Sequence, residues 1–172
     1  MTCKVEVISG DVSKIEADAL ITAINSGGLW FGGIDGVIQR CAGNHFHRQA
    51  AAHTLIEGMS VVARGDSSRL GGRFNNVIFV VDDLQRPLKD IVSAGLQAAD
   101  AAGMRTVTLP TIRMGVMFGA VEKTAQQAVT EIVSAVQEFV RESPKCVSHI
   151  KIVVYMDPQT ERLFRDTLNP VN

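Results

Sequence analysis

Five glycines, Gly27, Gly28, Gly32, Gly33 and Gly36, crowd the segment from Asn25 to Gly36 and surround one amide and one acid, Asn25 and Asp35. The segment follows an apolar run and leads into a helical pattern that starts near Ile34. Glycine lets backbone N–H groups come close to a ligand, and a helix N-terminus adds a positive dipole. Together they make an anion site that needs no lysine. A single glycine is adequately read as a tight turn; five at a strand-to-helix junction favour a ligand. A second loop of the same kind runs from Pro110 to Gly119, where Gly115 and Gly119 bracket an apolar tip of Val116, Met117 and Phe118. Two glycine-bearing loops at one sheet edge suit a ligand with two phosphates, with Met117 and Phe118 over its ribose or apolar face. Neither the dinucleotide pattern GxGxxG nor the phosphate-loop pattern GxxxxGK(S/T) occurs in the chain.

Other chemistry-bearing residues have blander readings. His45, His47 and His53 stand at i, i+2 and i+8, which does not bring all three to one helix face, so a solvated helix is expected rather than a metal site. Cys41 falls on the apolar side of its helix and reads as core. Asp82 and Asp83 follow a strand and read as a solvated loop. Trp30 and Phe31 are either anchors of a flap over the ligand or part of the core. Arg113 either reaches a phosphate or pairs with a surface carboxylate.

The elements that must position these loops alternate along the chain. The patterns predict strands over 3–8, 19–24, 59–63, 77–81, 106–109 and 150–156. Helices are predicted over 34–42, 44–55, 88–102, 121–142 and 158–168, the last opened by Asp157 as N-cap and Pro158 in the first turn. Residues 67–76, rich in Ser, Gly, Arg and Asn, read as a loop. Strands separated by helices imply an α/β fold, with a mostly parallel sheet covered on both faces. The alternating first strand reads as an edge. In such sheets ligands bind beyond the carboxyl ends of the strands. The loops after Ile8, Ile24, Leu109 and Met156 are therefore the places to look.

Composition sets the outer bounds. The chain has 172 residues, 46% hydrophobic and 20% charged, with a net charge of -1. These values fit a globular domain spanning 1–172 and argue against an electrostatic nucleic-acid binder, so no nucleic-acid partner is expected. The three cysteines form no CxxC pair, so no zinc site or disulfide framework is suggested and a reduced, cytoplasmic chain is expected. The N-terminal MTCKVEVISGD has no basic region followed by an apolar run, and no stretch approaches a membrane span, so neither a signal peptide nor a membrane partner is expected.

Three segments together resemble the signature of the macrodomains: Gly10 to Val12, Ala17 to Asn25, and above all Gly32 to Gly43. The family pattern there is GD(I/V), then VNAAN, then GGG(V/I)DGAIHRAAG. The 110–119 loop resembles the second glycine loop of the family. The resemblance implies a three-layer α/β/α fold with a mixed, mostly parallel sheet, and ADP-ribose or ADP-ribosylated molecules as the partner. It implies that Asp11 accepts a hydrogen bond from the adenine amino group, with the Val12 amide nearby, and that Asn25 contacts the distal ribose. It implies that the amides of Gly32, Gly33 and Ile34 hold one phosphate. Gly115, Val116, Met117, Phe118 and Gly119 would hold the other phosphate and the distal ribose. Met156 or a neighbour would cover the adenine.

Some members of the family hydrolyse ADP-ribosyl esters or O-acetyl-ADP-ribose, and there the resemblance gives Asn25 and Asp35 catalytic roles: Asp35 orients or activates a water while Asn25 holds ribose hydroxyls. No cofactor and no metal are implied. The chain departs from the pattern at Thr22, where the family has Asn, at Trp30 and Phe31, where it has glycines, at Gln39, where it has His, and at Arg113-Met114, where it has Ser-Thr. The functional expectations are a hydrolase of ADP-ribosyl esters, a non-catalytic ADP-ribose reader, or a protein-interaction module that has lost its nucleotide.

Overall fold

Strand β2, Ala17–Ile24, is apolar along nearly its whole length and sits near the middle of the sheet, as a strand covered on both faces must. The computed structural model describes residues 2–28, 33–65, 72–115 and 118–169. Among them the elements follow in the order β1 (Lys4–Ser9), β2, α1 (Gly33–Ala42), α2 (His45–Ala51), β3 (Ser60–Arg64), β4 (Phe74–Val81), α3 (Leu88–Ala101), β5 (Thr106–Pro110), α4 (Ala125–Arg141), β6 (His149–Val154) and α5 (Pro158–Leu168). A short 3-10 turn, Val12–Lys14, follows β1.

The described strands form one sheet in the order β1-β6-β5-β2-β4-β3. All neighbours are parallel except β3, which runs antiparallel to β4. The alternating strand β1 is at one edge, as expected. Period-2 alternation along β2 divides the core into two layers. Ala19, Ile21 and Ala23 join Ile78 and Val80 under α3, α4 and α5. Leu20 and Ile24 join Val77 and Phe79 under α1 and α2. The result is the expected three-layer α/β/α arrangement.

One glycine sets how closely a layer packs. Gly95 lies inside α3, where glycine costs about 1 kcal/mol relative to alanine. A Cβ there would stand 2.6 Å from Ile21 Cγ2 and 3.1 Å from Val80 Cγ2. The missing side chain lets α3 lie directly on the β2–β4 pair.

Where element ends differ from the sequence reading, local hydrogen bonds explain the difference. Helix α4 begins at Ala125 rather than near Val121, because Thr124 and Gln127 form a reciprocal capping box. Strand β4 begins at Phe74, inside the stretch read as a loop. Its Asn76 fits because the side-chain amide bridges neighbours: Nδ2 donates to the Asp18 carbonyl at 2.8 Å and Oδ1 accepts from the Gly65 amide at 3.2 Å. Helix α2 stops at Ala51 rather than near Leu55. Strand β6 ends at Val154, because Met156 turns the chain through a positive φ of 48°. No helix among the described residues is long and apolar enough to cross a membrane.

Candidate functional site

A cleft of about 570 Å³ opens at the carboxyl ends of β2, β5 and β6, within the range of small-molecule sites. Three segments wall it: Gly10 to Val12 after β1, the first turns of α1, and Pro110 to Gly115 after β5. Thr22 and Ala23 from β2, Val153 to Tyr155 from the end of β6, and Asp157 and Thr160 at the start of α5 also line it. The described ends of the two glycine loops, Gly33 and Gly115, thus line one cleft.

Asp11 caps the 3-10 turn, with Oδ1 accepting from the Ser13 amide at 2.9 Å and the Ser13 hydroxyl at 2.7 Å. These two bonds hold its carboxyl below the usual carboxylate range. An ionised acceptor therefore stands at one end of the cleft. Gly33 at the start of α1 and Gly115 after β5 both line the cleft, and a Cβ at either would meet nothing within 4 Å. The helix N-terminus at Gly33 brings its first-turn amides and positive dipole to the same space. Arg40, also on the lining, adds a full positive charge; its Nη1 lies 3.4 Å from where a Cβ of Gly36 would be, so the side chain folds back along α1.

The second loop is held from within the protein. Arg113 sits at φ 62° with its guanidinium buried. Its Nε and Nη2 donate to the two carboxylate oxygens of Asp82 at 2.9 and 2.8 Å. Nη1 donates to Glu122 at 3.0 Å, and Nη2 also donates to the Arg86 carbonyl at 2.7 Å. Burial opposes the charge, but the bonds to Asp82 and Glu122 outweigh it and raise the Arg113 pKa above its ordinary value. The expectation of a surface carboxylate is thereby corrected: Arg113 does pair with acids, but Asp82 is fully buried and Glu122 nearly so, and the guanidinium is itself buried among these bonds. Asp82 is likewise not a solvated loop residue but fully buried.

Asp35, in the first turn of α1, lines the cleft and is only 7% exposed. Burial pushes its carboxyl pKa up, and His47 draws it part of the way back. The His47 Nε2 lies 3.9 Å from Asp35 Oδ1, and its ring packs edge-on against Phe79 with centroids 4.8 Å apart. The solvated-helix reading therefore fails for His47, whose side chain is 11% exposed. His45 instead turns to the Arg64 carbonyl at 3.0 Å, and among the described residues no three metal-ligating side chains cluster.

The remaining expected residues lie apart. Asn25 follows β2 and its carbonyl accepts from the Gly28 amide at 2.9 Å; it is not among the described residues that line the cleft. Phe118 and Gly119 also stand off the lining, Phe118 being half exposed. Met156 is 79% exposed, because its positive φ swings it outward; its neighbour Tyr155 takes the lining position. Gly32, Val116 and Met117, with Trp30 and Phe31, fall outside the described residues.

No protein-family model matches the sequence. A macro domain-containing protein of Streptomyces coelicolor is 30% identical over 161 residues, covering 88% of this chain and 90% of that protein. The chain belongs to the macrodomain family. It is 27% identical over 146 residues to O-acetyl-ADP-ribose deacetylase 1 of Pantoea vagans, covering 78% of this chain and 84% of the relative. It is 26% identical over 162 residues to human protein mono-ADP-ribosyltransferase PARP14, of whose length it spans only 8%. The Trypanosoma brucei macrodomain in complex with ADP-ribose shares the fold, with a TM-score of 0.79 at 19% identity over 96% of this chain and 69% of that one.

Sequence reasoning missed several lining residues of this macrodomain. Arg40 lay inside the motif that carried the resemblance, five positions after Asp35, and helical spacing alone does not bring it to the cleft; the fold of its side chain over Gly36 does. Tyr155 is a neighbour of Met156, as the resemblance allowed, although nothing in the local sequence announces the positive φ at Met156. Asp157 and Thr160 reach the cleft from the first turn of α5, where Asp157 accepts from the Thr160 amide at 3.1 Å and hydroxyl at 2.6 Å.

Proposed function

We propose that this macrodomain binds ADP-ribose or an ADP-ribosyl derivative in the cleft and hydrolyses an ester on it, O-acetyl-ADP-ribose or an ADP-ribosyl ester of a protein carboxylate. The observation that carries the reading is that the first turns of α1, Arg40, the Gly115 loop and the Asp11 carboxylate all line one cleft, with Arg40 near enough to Asp11 to favour its ionised form. Backbone donors and a cation suit a diphosphate; an ionised acceptor suits the exocyclic amine of a purine. The named activity of the Pantoea relative supports the choice of an ester substrate.

Asp35 acts as general base in this scheme. Its carboxylate takes a proton from a water, the water oxygen attacks the acyl carbon, and the C–O bond to the ribose breaks. Asp35 then returns that proton to the ribose oxygen, which leaves as a hydroxyl, and the acyl group leaves as a carboxylic acid. A carboxyl whose pKa is raised by burial is the better base, because its conjugate acid lies nearer the working pH. Val12 and Ile34 amides complete the nucleotide contacts, and Tyr155 takes the place given to Met156 as the cover of the base.

Incubation with O-acetyl-ADP-ribose tests the reading directly. Turnover that disappears in Asp35→Asn, with calorimetric binding of ADP-ribose retained, is the expected result. Binding without turnover in the unaltered protein supports a second reading, a non-catalytic reader. Absence of both heat and thermal shift at millimolar ADP-ribose rejects the nucleotide assignment and leaves a protein-interaction role.

A further inference from the structure

We infer that His47 is a positioning residue for Asp35, holding one carboxylate oxygen through Nε2 so that the other acts in the cleft. The inference rests on the hydrolytic reading above and adds to it a residue that no motif in the chain marks.

The geometry is specific to these two side chains. Asp35 comes from the first turn of α1 and His47 from α2, an element away in sequence, and both side chains are about nine-tenths buried. They approach to 3.9 Å, a gap that a small rotation of either group converts to a hydrogen bond. No hydrogen bond to either Asp35 oxygen is found among the described residues. A buried carboxylate in that condition is costly, so a donor beside it has a large effect. The imidazole is itself fixed: β4 presents Phe79 to its ring, and α2 turns the neighbouring His45 away to the Arg64 carbonyl. Among the described residues His47 is also the one ionisable side chain acting on the Asp35 carboxyl, and its influence lowers the Asp35 pKa. A ring held by packing, aimed at a catalytic carboxylate by the nitrogen nearest to it, restrains which oxygen faces the ligand and keeps the charged form available.

Two variants separate this role from simple packing. His47→Phe keeps a ring against Phe79 and removes the donor. His47→Gln returns an Nε2 donor at a similar reach without the imidazole. Selective carbon-13 labelling of aspartate then follows the Asp35 carboxyl through a pH titration, beside kcat and KM on O-acetyl-ADP-ribose. In His47→Phe the carboxyl should titrate at higher pH than in the unaltered protein, with kcat down about 100-fold and KM little changed. In His47→Gln the titration should lie between the two, and most of the lost kcat should return. An Asp35 carboxyl that titrates at the same pH in all three proteins overturns the inference, as does a His47→Phe enzyme with full kcat. If the unaltered protein shows no turnover, the ester-hydrolase reading falls, and the order of the three titrations still decides whether His47 acts on Asp35. Should His47→Phe fail to fold, the comparison with His47→Gln decides alone.

Discussion

Arg113 grips both carboxylate oxygens of Asp82, at 2.9 and 2.8 Å, and neither side chain meets solvent. The pair joins the loop after β5 to the loop after β4. The latter loop is in turn tied to the end of β2: the Asp82 amide donates to the Ile24 carbonyl at 2.7 Å, and the Ser26 amide donates to Asp83 at 2.8 Å. The loop after β5, one wall of the cleft, is therefore braced from underneath by charge.

Arg113→Met should cost about 3–5 kcal/mol in denaturant unfolding, because it strands two acids, Asp82 and Glu122, without a cation. Arg113→Lys keeps the charge but not the fork, so it should recover only part of that loss. Calorimetry on whichever variants remain folded should show weaker ADP-ribose binding, since the Gly115 loop is no longer braced.

Arg40→Ala should weaken ADP-ribose binding about fivefold to tenfold at low salt. The difference from the unaltered protein should shrink as salt is raised, because the residue is exposed and its field is screened. Titration calorimetry at two ionic strengths checks both statements.

Asp35→Asn should raise the melting temperature at neutral pH even as it abolishes turnover. Burial lifts the Asp35 carboxyl pKa in the folded protein above its unfolded value, so the folded state favours the neutral form. The ionised group is therefore a stability cost above the folded pKa, and that cost disappears as pH falls through it. The two proteins should melt at converging temperatures in acid. A variant no more stable than the original at pH 7 would contradict this.

Asp157 should behave in the opposite sense. The hydroxyl and amide of Thr160 hold its carboxyl below the ordinary range. Its cap therefore contributes fully above the unfolded aspartate pKa and is lost as pH falls through the lowered folded value. Asp157→Ala should cost about 1 kcal/mol at neutral pH and less in acid, read from urea midpoints.

Gly95→Ala should destabilise the protein by about 1–3 kcal/mol despite alanine's better helix propensity. The added methyl would meet Ile21 Cγ2 at 2.6 Å in a core that has no room to yield. A companion Ile21→Ala removes that Cγ2, so the double variant should lose less than the sum of the two single losses, which chemical denaturation measures.

How far the sequence reveals this molecule depends on the range of the interaction. Strand β2, helix α3 and the Asp157 cap follow from contiguous patterns, and they lie within a residue or two of where those patterns put them. The meeting of the glycine loops follows from the parallel order of the sheet. Arg113 and Asp82 defied reading because they are 31 residues apart, and each resembles an ordinary surface charge until its partner is known. His47 was misread for a related reason. Its helix is short and amphipathic, but the space beside Phe79 and Asp35 exists only after α2 folds against β4.

The charge balance beneath the cleft imposes a rule on substitution. One guanidinium serves two acids there, so the three positions form a single unit of inheritance. A relative with Ser at the position of Arg113 should carry uncharged residues in place of both Asp82 and Glu122, and a chain altered at only one of the three should be selected against or should acquire a compensating change at another.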